Sequence, residues 1–306
     1  MYRRILSGVL FLTSVASFLP NEVLAQVNDA TPIVEPLVLK QKIAIGRFTN
    51  ETRYGQTLLR DSNLDPLGKQ AADIMAAYLV QSGAFLVFER TDTAQITAEQ
   101  GRINADQSLI GVDTMIVGSI VEFGRSEDGE RGLLSRERTQ RAHAKVAIRL
   151  VDVRTGQVFH SATGSGEATT ETRTTLGMGS TSRFDGSLTD KALSVAIEDV
   201  LEELVNTLQQ RQWRTDILAV EGGQVFISGG ATQGLRVGGR LNVLMPGRAI
   251  VSQQTGISIE LPATTVAELE VVSHFGSGEL AEGSITRVVS GTIDPELATS
   301  YYVVSR

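Results

Sequence analysis

The sequence contains no cysteine. That absence excludes disulfide scaffolds, thiolate metal sites, cysteine nucleophiles and a thioether-linked lipid anchor, each of which needs a sulfur. Histidine is scarce as well. His143, His160 and His274 are far apart and each lies in or beside a strand-like run, which is the placement of surface or hydrogen-bonded structural histidines rather than of a metal triad. A cationic excess is also missing: 28 Lys+Arg against 35 Asp+Glu give a net charge of −7. Nucleic acid is therefore not an expected partner, because phosphate binding along a duplex needs a concentrated positive surface. What is present, 42% hydrophobic residues in 306, describes a folded chain of about two domains and excludes collagen-like or wholly disordered classes.

Tyr2-Arg3-Arg4 precedes an apolar run from Ile5 to Leu19, which Pro20 ends before the small-residue close Val23-Leu24-Ala25. This three-part pattern predicts a secretory signal cleaved after Ala25. The run is broken by Ser7, Gly8, Thr13, Ser14 and Ser17 and is short for a membrane span of ~20 residues. Loss of residues 1–25, which hold Arg3, Arg4 and Glu22, takes the net charge from −7 to −8. The expected location is the periplasm or outer membrane of a Gram-negative bacterium, and without cysteine a lipoprotein is not expected.

Residues 26–41, with Pro32 and Pro36, read as an extended lead-in. A strand over 42–48, a helix opened by Pro66 and stopped by Gly83, a strand over 84–89, a helix from Thr91 to about Gln100 and a strand over 114–123 make two strand-helix-strand crossings. They predict an α/β domain over 42–213, a mixed sheet with covering helices. Ala144–Val153 and Gln157–Ala162 form a hairpin across Arg154-Thr-Gly156. A long helix from Leu188 to about Trp213 carries Leu188, Ala192, Val195, Ala196, Val200, Leu204 and Leu208 on one face, the stripe of a side packed on a sheet. From 215 to 306 short β-rich runs alternate with Gly222-Gly223, Gly229-Gly230, Gly238-Gly239 and Pro246-Gly247, which predicts a small all-β barrel.

Catalytic signatures are not found. Gly229 and Gly234 have phosphate-loop spacing, but Leu235 stands where lysine is needed and a strand rather than a helix follows. Gly177-Met-Gly179 lacks the strand before it and the third glycine of a dinucleotide fingerprint. No Gly-x-Ser-x-Gly elbow occurs. Glu202-Glu203 sit on the polar face of the long helix. The chain reads as a non-enzyme without cofactor or metal.

Ile43-Ala-Ile-Gly-Arg-Phe-Thr-Asn-Glu-Thr52, Phe85-Leu-Val-Phe-Glu-Arg90, Val117-Gly-Ser-Ile-Val-Glu-Phe-Gly124, Arg149-Leu-Val-Asp-Val-Arg-Thr-Gly-Gln157 and the helix ending near Trp213 resemble, in that order, the family of the curli production assembly/transport component CsgG and its HfaB-type relatives. Residues 215–306 look like the small SH3-like β domain at the C-terminus of the flagellar protein FlgT, through Val225-Phe-Ile-Ser-Gly-Gly-Ala-Thr-Gln-Gly-Leu-Arg-Val-Gly238. The resemblance implies a homo-oligomeric ring for secretion or assembly of extracellular fibres, with an exported protein or envelope-assembly proteins as partners. Each subunit of such rings lends two β-hairpins to a shared outer-membrane barrel, and the loop after the first strand narrows the pore. Here Asn63 matches the asparagine of that constriction, while Leu59 and Leu64 stand at its aromatic positions.

The hairpin insertions are expected at 124–145 and 163–187. A spanning strand needs about 9–11 residues with one uncharged face. In the second segment Glu167, Glu171, Arg173, Arg183 and Asp185 are all odd-numbered, which suits a lumen face opposite a lipid face. In the first, charges from Arg125 to Arg141 fall on both parities and the pattern fails. Two readings stay open: a CsgG-like ring at the outer membrane, and a soluble periplasmic FlgT-like adaptor bracing an envelope structure.

Overall fold

Apolar residues at Ile43, Ile45 and Phe48 bury one side of a strand, β1 (Gln41–Asn50), in a computed structural model that describes residues 39–52, 65–102, 110–131, 135–175, 186–254, 256, 258–278 and 280–306. The expected signal peptide lies outside these. Pro66 opens α1 (Pro66–Ser82), where the Asp65 carboxylate accepts the Gly68 N–H at 2.9 Å, and Gly83 at φ 64° closes it. The same carboxylate accepts the Asn50 N–H at 2.6 Å, so the helix start is tied to the end of β1.

Then follow β2 (Phe85–Glu89), α2 (Thr93–Arg102), β3 (Thr114–Arg131), β4 (Ser135–Asp152), β5 (Val158–Thr175) and α3 (Gly186–Gln209). The sheet order is β2-β1-β3-β4-β5. β1 runs parallel to β2 and β3, and β3, β4 and β5 are mutually antiparallel neighbours, the mixed sheet that two crossings and a hairpin imply. α1 and α3 pack side by side, with the Tyr78 hydroxyl donating to Glu198 and the Gln70 amide to Asp190. Ile43, Ile116, Ile148, Met75, Leu193 and Ile197 are fully buried between the sheet and these helices.

Two differences from the sequence reading concern α3. Val195, counted in its apolar stripe, is 42% exposed, and the helix ends at Gln209 instead of Trp213. Trp213 is instead a core residue of the β-rich part, as is Leu39 from the expected lead-in.

That part comprises β6 (Arg214–Glu221), β7 (Gln224–Ser228), β8 (Arg240–Met245), β9 (Ala249–Val251), β10 (Ser258–Glu260), β11 (Thr264–Gly276), β12 (Glu282–Gly291) and β13 (Tyr302–Ser305). Six of these close into a barrel, β11-β12-β7-β6-β13-β8, around Val225, Ile227, Leu241, Val243, Leu269 and Val303. β6 is unexpected from sequence, because Leu218 lies on its outer side, 57% exposed, and blurs the alternation. β9 and β10 pair only with each other among the described residues. Lys40 N–H donates to the Gln233 carbonyl at 2.9 Å and Gln41 Nε2 to the Arg211 carbonyl at 2.6 Å, so the residues entering β1 bind sheet and barrel together.

Candidate functional site

The Arg149–Gln157 motif is explained by one carboxylate. Asp152 ends β4, and its Oδ1 accepts the Arg154 N–H at 3.1 Å, the Thr155 N–H at 3.0 Å and the Thr155 hydroxyl at 3.1 Å. Gly156, at φ 71°, completes the turn into β5. Oδ2 accepts from the Arg211 guanidinium, which also lies 4.1 Å over the Phe159 ring. Burial works against the charged Asp152, but the Thr155 backbone bond, the Arg211 bond and charge, and the Thr155 hydroxyl prevail and hold its carboxyl below the usual range. Asp152 therefore pins the chain just beyond α3 to the β4–β5 turn.

At the opposite end, β3, β4 and β5 form a long three-stranded ribbon. Each strand has 18 residues, where about 5–6 is usual. A register shift between Ile120 and Glu122 leaves Val121 as a bulge, and the buried side changes from Ile116 and Ile120 to Phe123. On β4 the side facing α3 carries Ala142 and Ala144, and on β5 it carries Gly164 and Gly166. A Cβ at 164 would run into the Ala196 carbonyl, and one at 166 into the Ala192 carbonyl, so α3 lies directly on the β5 backbone. Asp199 accepts the Ser165 N–H at 3.0 Å, and His160 Nε2 sits 3.1 Å from Glu203, which gives one of the two glutamates a partner on the sheet.

The other side of the ribbon is polar. Glu122 lies opposite Lys145 with 3.4 Å between Nζ and Oε1, His143 opposite both Gly124 and Glu167, and Thr139 opposite Asp128 and Glu171. Among the described residues β5 has a strand neighbour on one side only, so apart from the Ser165 N–H taken by Asp199 its outer edge is open to a further strand.

These positions bear on the residues expected from sequence. Glu167 and Glu171 are exposed on the polar side of β5. Arg173 stands opposite Glu137 in the register, while Asn63, Leu59, Leu64, Arg183 and Asp185 lie outside the described residues. The even-numbered side of 164–168, within the segment read as having a lipid face, is the one packed under α3. The segment expected as a hairpin over 163–187 is, to Thr175, the outer half of β5 paired with β4. Its uncharged parity therefore reflects close helix packing over those residues. In the first segment, 124–145, Gly124 to Arg131 pairs with Arg136 to His143 without a register shift, and charges stand on both sides of the pair, Arg125 and Glu127 on one and Asp128 and Arg141 on the other, as the mixed parity implied. The cross-chain pair Asp152–Arg211 was not foreseen; its only sequence signal is the motif around Asp152.

Among the described residues no group of His, Asp or Glu is placed to hold a metal, and no helix is long and apolar enough to cross a membrane. His274 Nδ1 lies 2.9 Å from the Ser284 hydroxyl.

A Neisseria meningitidis serogroup B protein, named as a candidate lipoprotein, is 33% identical over 179 residues, covering 58% of this chain and 80% of that protein. The sequence holds no cysteine. Among solved structures, the PelC dodecamer of Paraburkholderia phytofirmans is 18% identical and covers 54% of this chain and 90% of that one, with a TM-score of 0.28. Lipoprotein GNA1162 of Neisseria meningitidis is 16% identical over 56% of this chain and 99% of that one, with a TM-score of 0.29. The family described as curli production assembly/transport component CsgG matches residues 25–237, which takes in the whole α/β sheet and the first two barrel strands, and the chain belongs to that family.

Proposed function

We propose that the protein is a non-enzymatic, ring-forming component for secretion or assembly at the bacterial outer membrane, serving an extracellular fibre or appendage. The observation that carries this reading is that, among the described residues, the long β5 strand has a strand neighbour on one side only. In a ring of identical copies, its other edge would pair with a strand of the next copy and remove an aggregation-prone surface. Family membership supports the same role, since the family's name is that of a transport and assembly component. The C-terminal barrel, of small SH3-like type, would recruit a partner or the neighbouring subunit. Mature protein without lipid would then be held in the membrane by ribbon strands or by that partner, with no nucleotide or other cofactor required.

A specific observation favours a second reading, a periplasmic ring or adaptor that does not span the bilayer. Beyond the α3-covered part, β3 from Gly124 to Arg131 has about 8 residues, against about 9–11 for a tilted spanning strand. Arg125 and Glu127 also fall on the same side as Phe123, where a charge facing lipid would cost about 2–4 kcal/mol at the midplane.

Membrane fractionation followed by sizing separates these readings. Extraction only by detergent, as one large heat-stable species, is expected for the pore. A large species in the periplasmic wash supports the non-spanning ring, and a monomer there defeats ring formation in both.

A further inference from the structure

Arg154, in the Arg149–Gln157 motif, has a side chain that the turn does not use. Its backbone N–H binds Asp152, but among the described residues its guanidinium has no ion pair. It is exposed and opens onto two adjoining clefts where the β4–β5 turn meets the start of the barrel. Arg154 and Arg214 line both. The first, about 270 Å³, is completed by Lys42, Asp113, Thr215 and Asp216 among others. The second, about 320 Å³, is lined by Arg154, Arg211, Gln212, Arg214, Tyr302 and Val304, three guanidiniums with no carboxylate among them.

In the second cleft the arginines are held by ring stacking and by a carboxylate outside its wall. Arg214 lies 3.6 Å over the Tyr302 ring, and Arg211 is stacked on Phe159 and turned back to Asp152. Burial, followed by the nearby charge of Arg154, makes the Arg214 cation harder to sustain, and Tyr302, Asp216 and Asp113 only partly offset this. Like charges gathered in a cleft of an acidic protein are costly when empty and are relieved by an anion. Screening over about 8 Å at physiological ionic strength lets this local cluster outweigh the chain's net −7. A carboxylate is satisfied by one guanidinium fork. In the second cleft, away from the Asp113 and Asp216 carboxylates of the first, the two forks of Arg154 and Arg214 match the higher charge and the additional acceptor oxygens of a phosphate.

We infer that the cleft bounded by Arg154 and Arg214 is a binding site for a phosphate group, carried by a soluble ligand or by a phospholipid headgroup. Gln212 and Tyr302 complete its lining. The site is independent of ring formation.

Thermal melts of the full chain with inorganic phosphate, against sodium chloride of equal ionic strength, test it. Phosphate is expected to raise Tm beyond the chloride control, and Arg154→Gln to weaken that response at least tenfold in phosphate concentration while leaving the phosphate-free Tm within about 2 °C. No excess stabilisation by phosphate, or an equal response in Arg154→Gln, overturns the site. Co-sedimentation with phosphatidylglycerol against phosphatidylcholine vesicles then tells the sources apart. Preferential capture by phosphatidylglycerol that Arg154→Gln loses assigns the headgroup; a phosphate response without it assigns a soluble ligand.

Discussion

Asp152 shows at the scale of one side chain how a sequence motif becomes a joint. Three donors from the β4–β5 turn converge on Oδ1 and Arg211 occupies Oδ2, so the charged form is favoured in the fold and its pKa lies below that of the unfolded chain, near 3.9. Such a group adds stability that is complete above the unfolded pKa and is lost as pH falls through the folded one. Asp152→Asn keeps the shape and one acceptor oxygen but removes the charge. It is expected to cost about 1–3 kcal/mol at pH 7, the scale of a charge-assisted hydrogen bond. Urea melts of both proteins from pH 7 to pH 2 should show the gap shrinking toward acid, and a gap independent of pH would assign the loss to something other than Asp152 ionisation. The motif was conspicuous in the sequence because the turn needs Asp152, Thr155 and Gly156 at fixed offsets. Arg211 could not be found that way, since its partner is 59 residues away.

At the scale of elements, the strands and helices that obey one period were legible: α1 between Pro66 and Gly83, and β2 directly after it. The ribbon was only half legible. Alternating charge on β5 was visible, but what covers its uncharged side was not. Gly164 and Gly166 read equally well as residues of a lipid-facing strand and as the smooth bed on which α3 lies, and only the three-dimensional contact with Ala192 and Ala196 decides. On β3 a single unpaired residue, Val121, inverted every later position, and no sequence pattern marks it. The covered and uncovered parts of the ribbon can therefore be separated by experiment. Replacing 128–139 by Asn-Gly joins Glu127 to Gln140, which are already opposite each other, with a turn suited to two strands. The fold should survive, since the removed residues lie beyond Phe123 and Ala142, the last core positions of β3 and β4 among the described residues. Light scattering is expected to show a smaller species with the circular dichroism of the parent. Retention of the parent's mass would place the subunit contact elsewhere than the ribbon end.

At the scale of the whole molecule, the sequence suggested two domains meeting just after Trp213, because the hydrophobic period changes there. Residues 37–306 pack as one compact unit, with core contacts that cross this point. Leu39, before β1, and Trp213, after α3, both enter the barrel core, and neither belongs to the strands that define the barrel. Gln41 then reaches the Arg211 carbonyl, and Arg211 reaches Asp152 at the end of β4, so a continuous chain of contacts leads from the barrel core to the sheet. A barrel of this size depends on such borrowed side chains, because small domains bury too little surface to be stable on their own strands. Unfolding of sheet and barrel should accordingly be coupled. Calorimetry is expected to give a single transition, and Leu39→Ala, which removes a core side chain 8% exposed, to lower it as one by the equivalent of about 2–5 kcal/mol. Two separated transitions in the parent, or a Leu39→Ala change confined to one of them, would show that the barrel folds without the sheet and that Leu39 only decorates it.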